Sequence, residues 1–331
     1  LPIDGPVVIR TYEVLPNSRW TVLVNAEPGL SNTQFSMEVQ SSLPILAERA
    51  VYRDVPGKQF GAGHGAAGVG LANEWSFAEG ATGTFFNDFI LIANPGWSQI
   101  IVEATYRLDS GTVFTKQYPI GPRSRFTVWV DEEDPLLLAG ASVGVSLRGL
   151  SGATFAAERA MWWPGPTPAT WYEAHAGAGT VERGYRWVSP SGEVAGPVPP
   201  ATYNPFYNEE NTGQRAPDAN VARRVRVQLL PDETTPWVFS DAPPSLCQPS
   251  QPVTTYLIGP NTRFNVVART LYGNVGQQQC RFGAVFTAVD DYGVPVTGAR
   301  LVVEQAIYND SANPGSVWWD GGAVALATRW P

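Results

Sequence analysis

The residues able to do chemistry in this sequence are few and recur at intervals. Its two histidines, His64 and His175, hold matching positions in two copies of a Gly/Ala-rich stretch. One imidazole per copy cannot build a histidine-rich zinc site. A catalytic dyad would need a nucleophile nearby and no G-x-S-x-G elbow is expected, so both are read as loop histidines in a glycine-rich turn. Asp131-Glu132-Glu133-Asp134 is a run of carboxylates of the kind hard cations take. The other copies carry Asn25-Ala26-Glu27 and Arg269 there, so a solvated loop is expected rather than a shared calcium site. Glu79 and Asp88 can be cast as a glycosidase pair, but no cleft motif accompanies them. The sequence therefore assigns no catalytic residue, no cofactor and no metal, and the expectation is a protein that is not an enzyme.

Other side chains repeat as if structural. Arg19, Arg125 and Arg263 occupy one repeated position, and Glu48, Glu158 and Glu304 another. An arginine and a glutamate present in three copies suggest a partly buried ion pair between strands that fixes register. Twelve tryptophans stand out. Trp162, Trp163, Trp171, Trp318 and Trp319 are candidate contact aromatics, suited to packing between units or to stacking on sugars.

The elements that position these residues follow from internal similarity. LPNSRWTVLV at 15–24 returns as GPRSRFTVWV at 121–130 and GPNTRFNVVA at 259–268. LAERAVY at 46–52 returns as AAERAMW at 156–162 and VVEQAIY at 302–308. A Gly/Ala-rich stretch follows each time and ends at Trp75, Trp187 and Trp330. Three blocks in fixed order mark a tandem array. Within a copy apolar residues alternate, as in strands with one buried face. The second copy reads as strands near 84–93, 99–107, 112–118, 125–131, 141–148, 153–163, 170–175 and 181–188. Asn94-Pro95-Gly96, Asp109-Ser110-Gly111 and Gly121-Pro122 separate them as turns. The expected fold is all-β, tandem antiparallel Ig-like β-sandwich domains. They divide as 1–75 (N-terminally incomplete), 76–187, and 188–331 (enlarged by insertions near 208–220 and 233–253). The first copy lacks counterparts of 83–106, about two strands, so it is expected to borrow strands or to have lost them.

AERAMWWPGP at 157–166, WYEAHAGAG at 171–179 and WSFAEGATGTFFNDFILIANPG at 75–96 resemble repeat units of large secreted or surface-anchored bacterial proteins. There ERAMYW, EAH, AEG and NP phrases recur in tandem. The resemblance implies an extracellular, non-catalytic β-domain array. The third copy departs from it: Glu304-Gln305 replaces Glu-Arg, and Trp319 stands where His64 stands.

Composition narrows the partners. A net charge of −8 argues against nucleic acid and against docking on an anionic membrane. No run of 18 apolar residues exists, so no membrane insertion is expected. Cys247 and Cys280 are expected to form a disulfide, which places the chain in an oxidising compartment. The function these features suggest is an extracellular or cell-surface structural protein. It self-associates into a filament, sheath or surface layer through end-to-end β-domains, with strand complementation as one means. Its partners would be itself or neighbouring repeats. An adhesin or carbohydrate-binding surface module that binds glycans is the alternative.

Overall fold

The computed structural model describes residues 1, 5–31, 33–55, 58–165, 167–190, 192–195, 201–208, 223–231, 248–272, 279–309 and 321–330. The fold is all-β, built from antiparallel sheets. Two four-stranded sheets enclose one core. The first contains Glu74–Phe77 (β3), Val143–Gly149 (β8), Ile100–Leu108 (β5) and Val113–Ile120 (β6), in the order β3-β8-β5-β6. The second contains Glu173–Ala178 (β10), Ala156–Trp163 (β9), Asn87–Asn94 (β4) and Ser124–Trp129 (β7), in the order β10-β9-β4-β7. Burial alternates along β4 and β5, and their inward residues, among them Ile90, Ile92, Val102 and Tyr106, meet Phe77, Val145 and Phe155. Each such side chain contributes roughly 1.5–3 kcal/mol by leaving water.

Turn chemistry sets the strand ends. Asn94 donates from Nδ2 to the carbonyls of Ser98 and Gly121, both at 2.8 Å, and its Oδ1 accepts from the Gly96 N–H at 3.0 Å. Arg123 in the Gly-Pro-Arg-Ser turn has φ 50°, and its counterparts Asn17 and Asn261 have 55° and 53°. The same left-handed residue thus follows the same proline in all three copies.

A ten-stranded sheet holds a second core. It contains Val253–Ile258 (β15), Arg223–Pro231 (β14), Gln279–Val289 (β17), Glu193–Ala195 (β12), Ala201–Asn208 (β13), Leu301–Asn309 (β18) and Gly321–Leu326 (β19) in that order. Arg186–Ser189 (β11) pairs with β17 and with Thr328–Arg329 (β20), and Arg263–Val267 (β16) pairs with β13. Trp187, Phe282, Phe286, Leu301 and Val303 lie in its core. The tryptophans that close sequence blocks enter the sheets of the block that follows: β3 with Trp75 pairs with β8, and β11 with Trp187 pairs with β17. Cys280 is buried on β17, and no free thiol occurs among the described residues. Cys247 and most of the two expected insertions lie outside them.

The first block differs from expectation. It contributes a two-stranded sheet, Glu48–Val55 (β1) with Lys58–Ala67 (β2). Among the described residues before β1 there is one 3₁₀ turn, Val24–Ala26, and no strand. Residues 15–24, the counterpart of the strand near 125–131, form no strand, and in the alternating stretch Phe35, Met37 and Val39 only Phe35 makes an isolated bridge. Alternation chooses which face of a strand is apolar but supplies no neighbour to pair with. Met37 is 49% exposed and Val39 58%, whereas Val145 and Leu147, at the matching positions, are 0% and 1% exposed.

Candidate functional site

The densest group of polar side chains is buried where β9 meets β18. Glu79 follows β3, Asp88 is on β4, Arg159 on β9, His175 on β10, Arg263 on β16, and Glu304 and Tyr308 on β18. All seven are 4% exposed or less. Arg159 Nη1 donates to Glu304 Oε2 at 2.8 Å and to the Glu79 carbonyl at 2.6 Å. The Glu79 N–H donates to the same Glu304 oxygen. Arg263 donates from Nε to the Ala78 carbonyl at 3.0 Å and from Nη2 to Glu79 Oε2 at 3.4 Å. The Tyr308 hydroxyl donates to Glu79 Oε1 at 2.9 Å, and His175 Nε2 lies 3.2 Å from that hydroxyl. Since Tyr308 spends its proton on Glu79, His175 must donate, which puts its proton on Nε2.

The electrostatics follow from closure. Burial works against the Arg159 charge, but Glu304, Glu79 and Asp88 outweigh it and hold its pKa above the ordinary value. Burial lowers His175 well below the usual histidine range, and Arg159 and His64 add to that, so the ring is neutral. Burial raises Asp88 well above the usual carboxylate range; Arg159 opposes this, and Asp131, Glu79 and Glu304 reinforce it. The Asp88 carboxyl oxygens have no described hydrogen-bond partner. Two carboxylates and two guanidiniums join strands of the second and third sequence blocks, while Arg159 Nε and Nη2 and Arg263 Nη1 find no hydrogen-bond partner among the described residues.

The arginine partners differ from the expected ones. Glu304 is bound by Arg159 rather than by Arg263. Glu158 is bound by Arg49 at 2.5 Å, rather than by Arg125, whose Nη2 donates to Thr127 Oγ1. Burial lowers Arg125 to about 10, with the Arg49 charge adding to the effect. Glu48 is exposed on β1, and so is Arg19 in the segment before it. One rule covers both pairs: the arginine after a block's glutamate reaches the glutamate of the following block. The histidines follow it too. His64 packs edge-on to Trp162, with centroids 5.5 Å apart, and His175 sits 5.8 Å from Tyr308. Trp162 and Tyr308 are the matching positions of their copies. Burial, with Arg49 assisting, lowers His64 to about 4.

Both histidines lie within strands, β2 and β10, and not in turns as expected. The glycines that suggested a turn serve close approach instead. Strand β10 lies against β2 on one side and β19 on the other. A Cβ on Gly177 would come within 3.2 Å of Val324 Cγ1.

The other sequence candidates serve local structure. Asp131 accepts from the N–H groups of Gly83 and Asp88 and from Asn87 Nδ2. Glu133 accepts from Tyr118 and pairs with Lys116, and Asp134 Oδ1 accepts from the N–H groups of Leu136 and Leu137. Among the described residues, no three His, Cys, Asp or Glu side chains form a metal-ligating group. Gly140-Ala141-Ser142-Val143-Gly144 has the spacing of a nucleophile elbow, a match the sequence reading missed. Ser142 bridges to Ala81 and leads into β8, not through the strand-to-helix turn such a nucleophile needs. Trp163 is buried against Phe86, His175 and Tyr308. Trp162 and Trp171 stack at 5.5 Å, and Arg53 of the first block lies over Trp171. Trp318 and Trp319 lie outside the described residues.

No family model and no curated protein matches the chain. Two solved structures align with it at low similarity. A Thermotoga maritima protein designated 1070 is 13% identical, covers 34% of this chain and 95% of its own, and has a TM-score of 0.29. CfaE, the adhesive subunit of CFA/I fimbria of enterotoxigenic Escherichia coli, is 8% identical, covers 78% and 94%, and has a TM-score of 0.15. Neither likeness is close enough to carry an argument.

Proposed function

We propose that this chain is an extracellular structural protein, a tandem array of Ig-like β-sandwich units that self-associates end to end into a filament, sheath or surface layer. The tandem reading is supported by strand order. The orders β10-β9-β4-β7 and β3-β8-β5-β6 recur, position for position, as β19-β18-β13-β16 and β11-β17-β14-β15. The single observation that carries the function is the repeated junction. Arg49 with His64 grips Glu158 with Trp162, and Arg159 with His175 grips Glu304 with Tyr308. A contact used twice with the same residue positions is a module for stacking units. Its next receiving face lies on β1: Glu48, Ala50 and Tyr52 match Glu158, Ala160 and Trp162 and are exposed. A Cys247–Cys280 disulfide, which fits an oxidising compartment, belongs to the same proposal.

Sedimentation of the intact chain over a concentration series tests this. We expect concentration-dependent association that Glu48→Arg, a change of charge on the exposed receiving face of β1, weakens. A chain that stays monomeric at every concentration overturns the proposal.

A further inference from the structure

We infer that the edge of β1 away from β2, unpaired among the described residues, is a strand-acceptor site for an extended segment of another polypeptide chain that carries the alternating pattern of β4. The inference deepens the array reading and rests on it for the equivalence of the blocks. Strand β9 is flanked by β10 and β4, and β18 by β19 and β13. Strand β1 matches β9 and β18, and β2 matches β10 and β19. Among the described residues, β1 pairs with β2 alone.

The backbone is oriented to receive a partner. The Gly68 N–H donates to the Ala47 carbonyl at 2.8 Å, which makes that pair a hydrogen-bonded one. Pairs alternate along an antiparallel ladder. Arg49 and Val51 therefore turn their peptide groups toward β2, and Glu48 and Ala50 turn theirs outward. Both outward residues are exposed.

The neighbouring blocks also specify the register and the side chains. Phe89 lies opposite Ala160, and Tyr203 opposite Ala306. Asn87 lies opposite Trp162, and Ala201 opposite Tyr308. The segment that fits β1 thus runs antiparallel to it, with a small or polar residue facing Tyr52 and an aromatic two residues later facing Ala50. Beside Ala50 an open hollow of about 310 Å³ is floored by Gly61, Gly63 and Gly65, which leaves room for that ring. Strand β4 also sits between β9 and β7. A segment added at β1 would offer its other edge to residues 18–23, the counterpart of β7, where Trp20 is 58% exposed and Leu23 71%.

The test adds a synthetic peptide with the sequence of residues 85–98 to the full chain and follows binding by titration and amide hydrogen exchange. We expect one peptide per chain and new protection at the amides of Glu48 and Ala50. Ala50→Pro removes an outward donor, and proline is tolerated on an edge strand where its nitrogen faces away from the ladder. It should weaken binding about tenfold or more. A scrambled peptide should not protect these amides. Equal binding by the scrambled peptide, or binding that leaves Glu48 and Ala50 unprotected, overturns the inference. Hydrogen exchange in the unliganded variant checks that the β1–β2 ladder survives. If it does and Ala50→Pro binds the peptide as the parent does, the edge is not the site. Strand capture by a chain that sediments as a monomer would sink the array while leaving this inference standing; association without peptide capture would do the reverse.

Discussion

Replacing Glu304 by Gln and Glu158 by Gln removes the same charge from the same repeated position in two different surroundings. At Glu304 the pair is closed: the side chains of Arg159 and Glu304 are 0% and 2% exposed. Removing one partner of a buried pair costs about 3–5 kcal/mol, because the other charge is left without its counterion. Two features pull the value toward the lower end. Glutamine still offers a carbonyl oxygen to Arg159 Nη1, and Arg159 keeps its bond to the Glu79 carbonyl. A loss of about 3 kcal/mol is expected. At Glu158 both partners keep 23% of their side-chain surface in water, where such pairs are worth about 1 kcal/mol or less. The assay is urea unfolding at pH 7, followed by tryptophan fluorescence and far-ultraviolet circular dichroism and compared at shared slope. The double variant Arg159→Met with Glu304→Leu should be more stable than Glu304→Gln alone, since no charge is stranded. Equal losses for the two single variants, or a loss at Glu304 below about 1 kcal/mol, would refute the reasoning that burial governs the junction.

Three further outcomes are expected. Both histidines are buried in the neutral form, with His64 lowered from 6.5 to about 4. The unfolded chain therefore binds more protons between those values, and the stability these rings contribute is full above pH 6.5 and lost as pH falls toward 4. Unfolding midpoints at pH 7 and pH 5 should differ, and His64→Asn should remove about 2 kcal/mol of that pH dependence. Asp88 has the opposite sign: its raised folded pKa contributes stability below the ordinary value of 3.8, lost as pH rises. Asp88→Asn should therefore stabilise the chain by about 1–2 kcal/mol at pH 7 in a thermal melt, with a smaller gain near pH 4. A Cβ at Gly149 would lie 2.0 Å from the Ala153 carbonyl oxygen, so Gly149→Ala should destabilise by about 3 kcal/mol or more in the same melt.

The strands between 84 and 188 were legible because alternation and turn residues agree there. Ile90 and Ile92 point inward, and Asn94 closes the turn that Asn-Pro-Gly announces. The repeated Arg and Glu positions were legible as a class, but the partners were not. Similarity says that Arg49 and Arg159 are equivalent; it does not say that each reaches across to the next block's glutamate. The histidines were placed in turns because glycine reads as flexibility, whereas near Gly177 its use is to let two strands come close. Asp88 carried no signal of burial, because a lone aspartate in a strand gives no hint that three carboxylates will converge on one guanidinium. Residues 15–24 spell a strand in isolation, and only the tertiary neighbours decide whether it is made.

The stitching between blocks has a direction. In both junctions the cation belongs to the earlier block and the anion to the later one, so the two surfaces of a unit differ and cannot swap roles. Contacts of this heterologous kind do not close on themselves in pairs. If copies add end to end as proposed, the column would be polar: one tip would present Glu48 and Tyr52, the other would not, and subunit addition at the two tips would proceed at unequal rates.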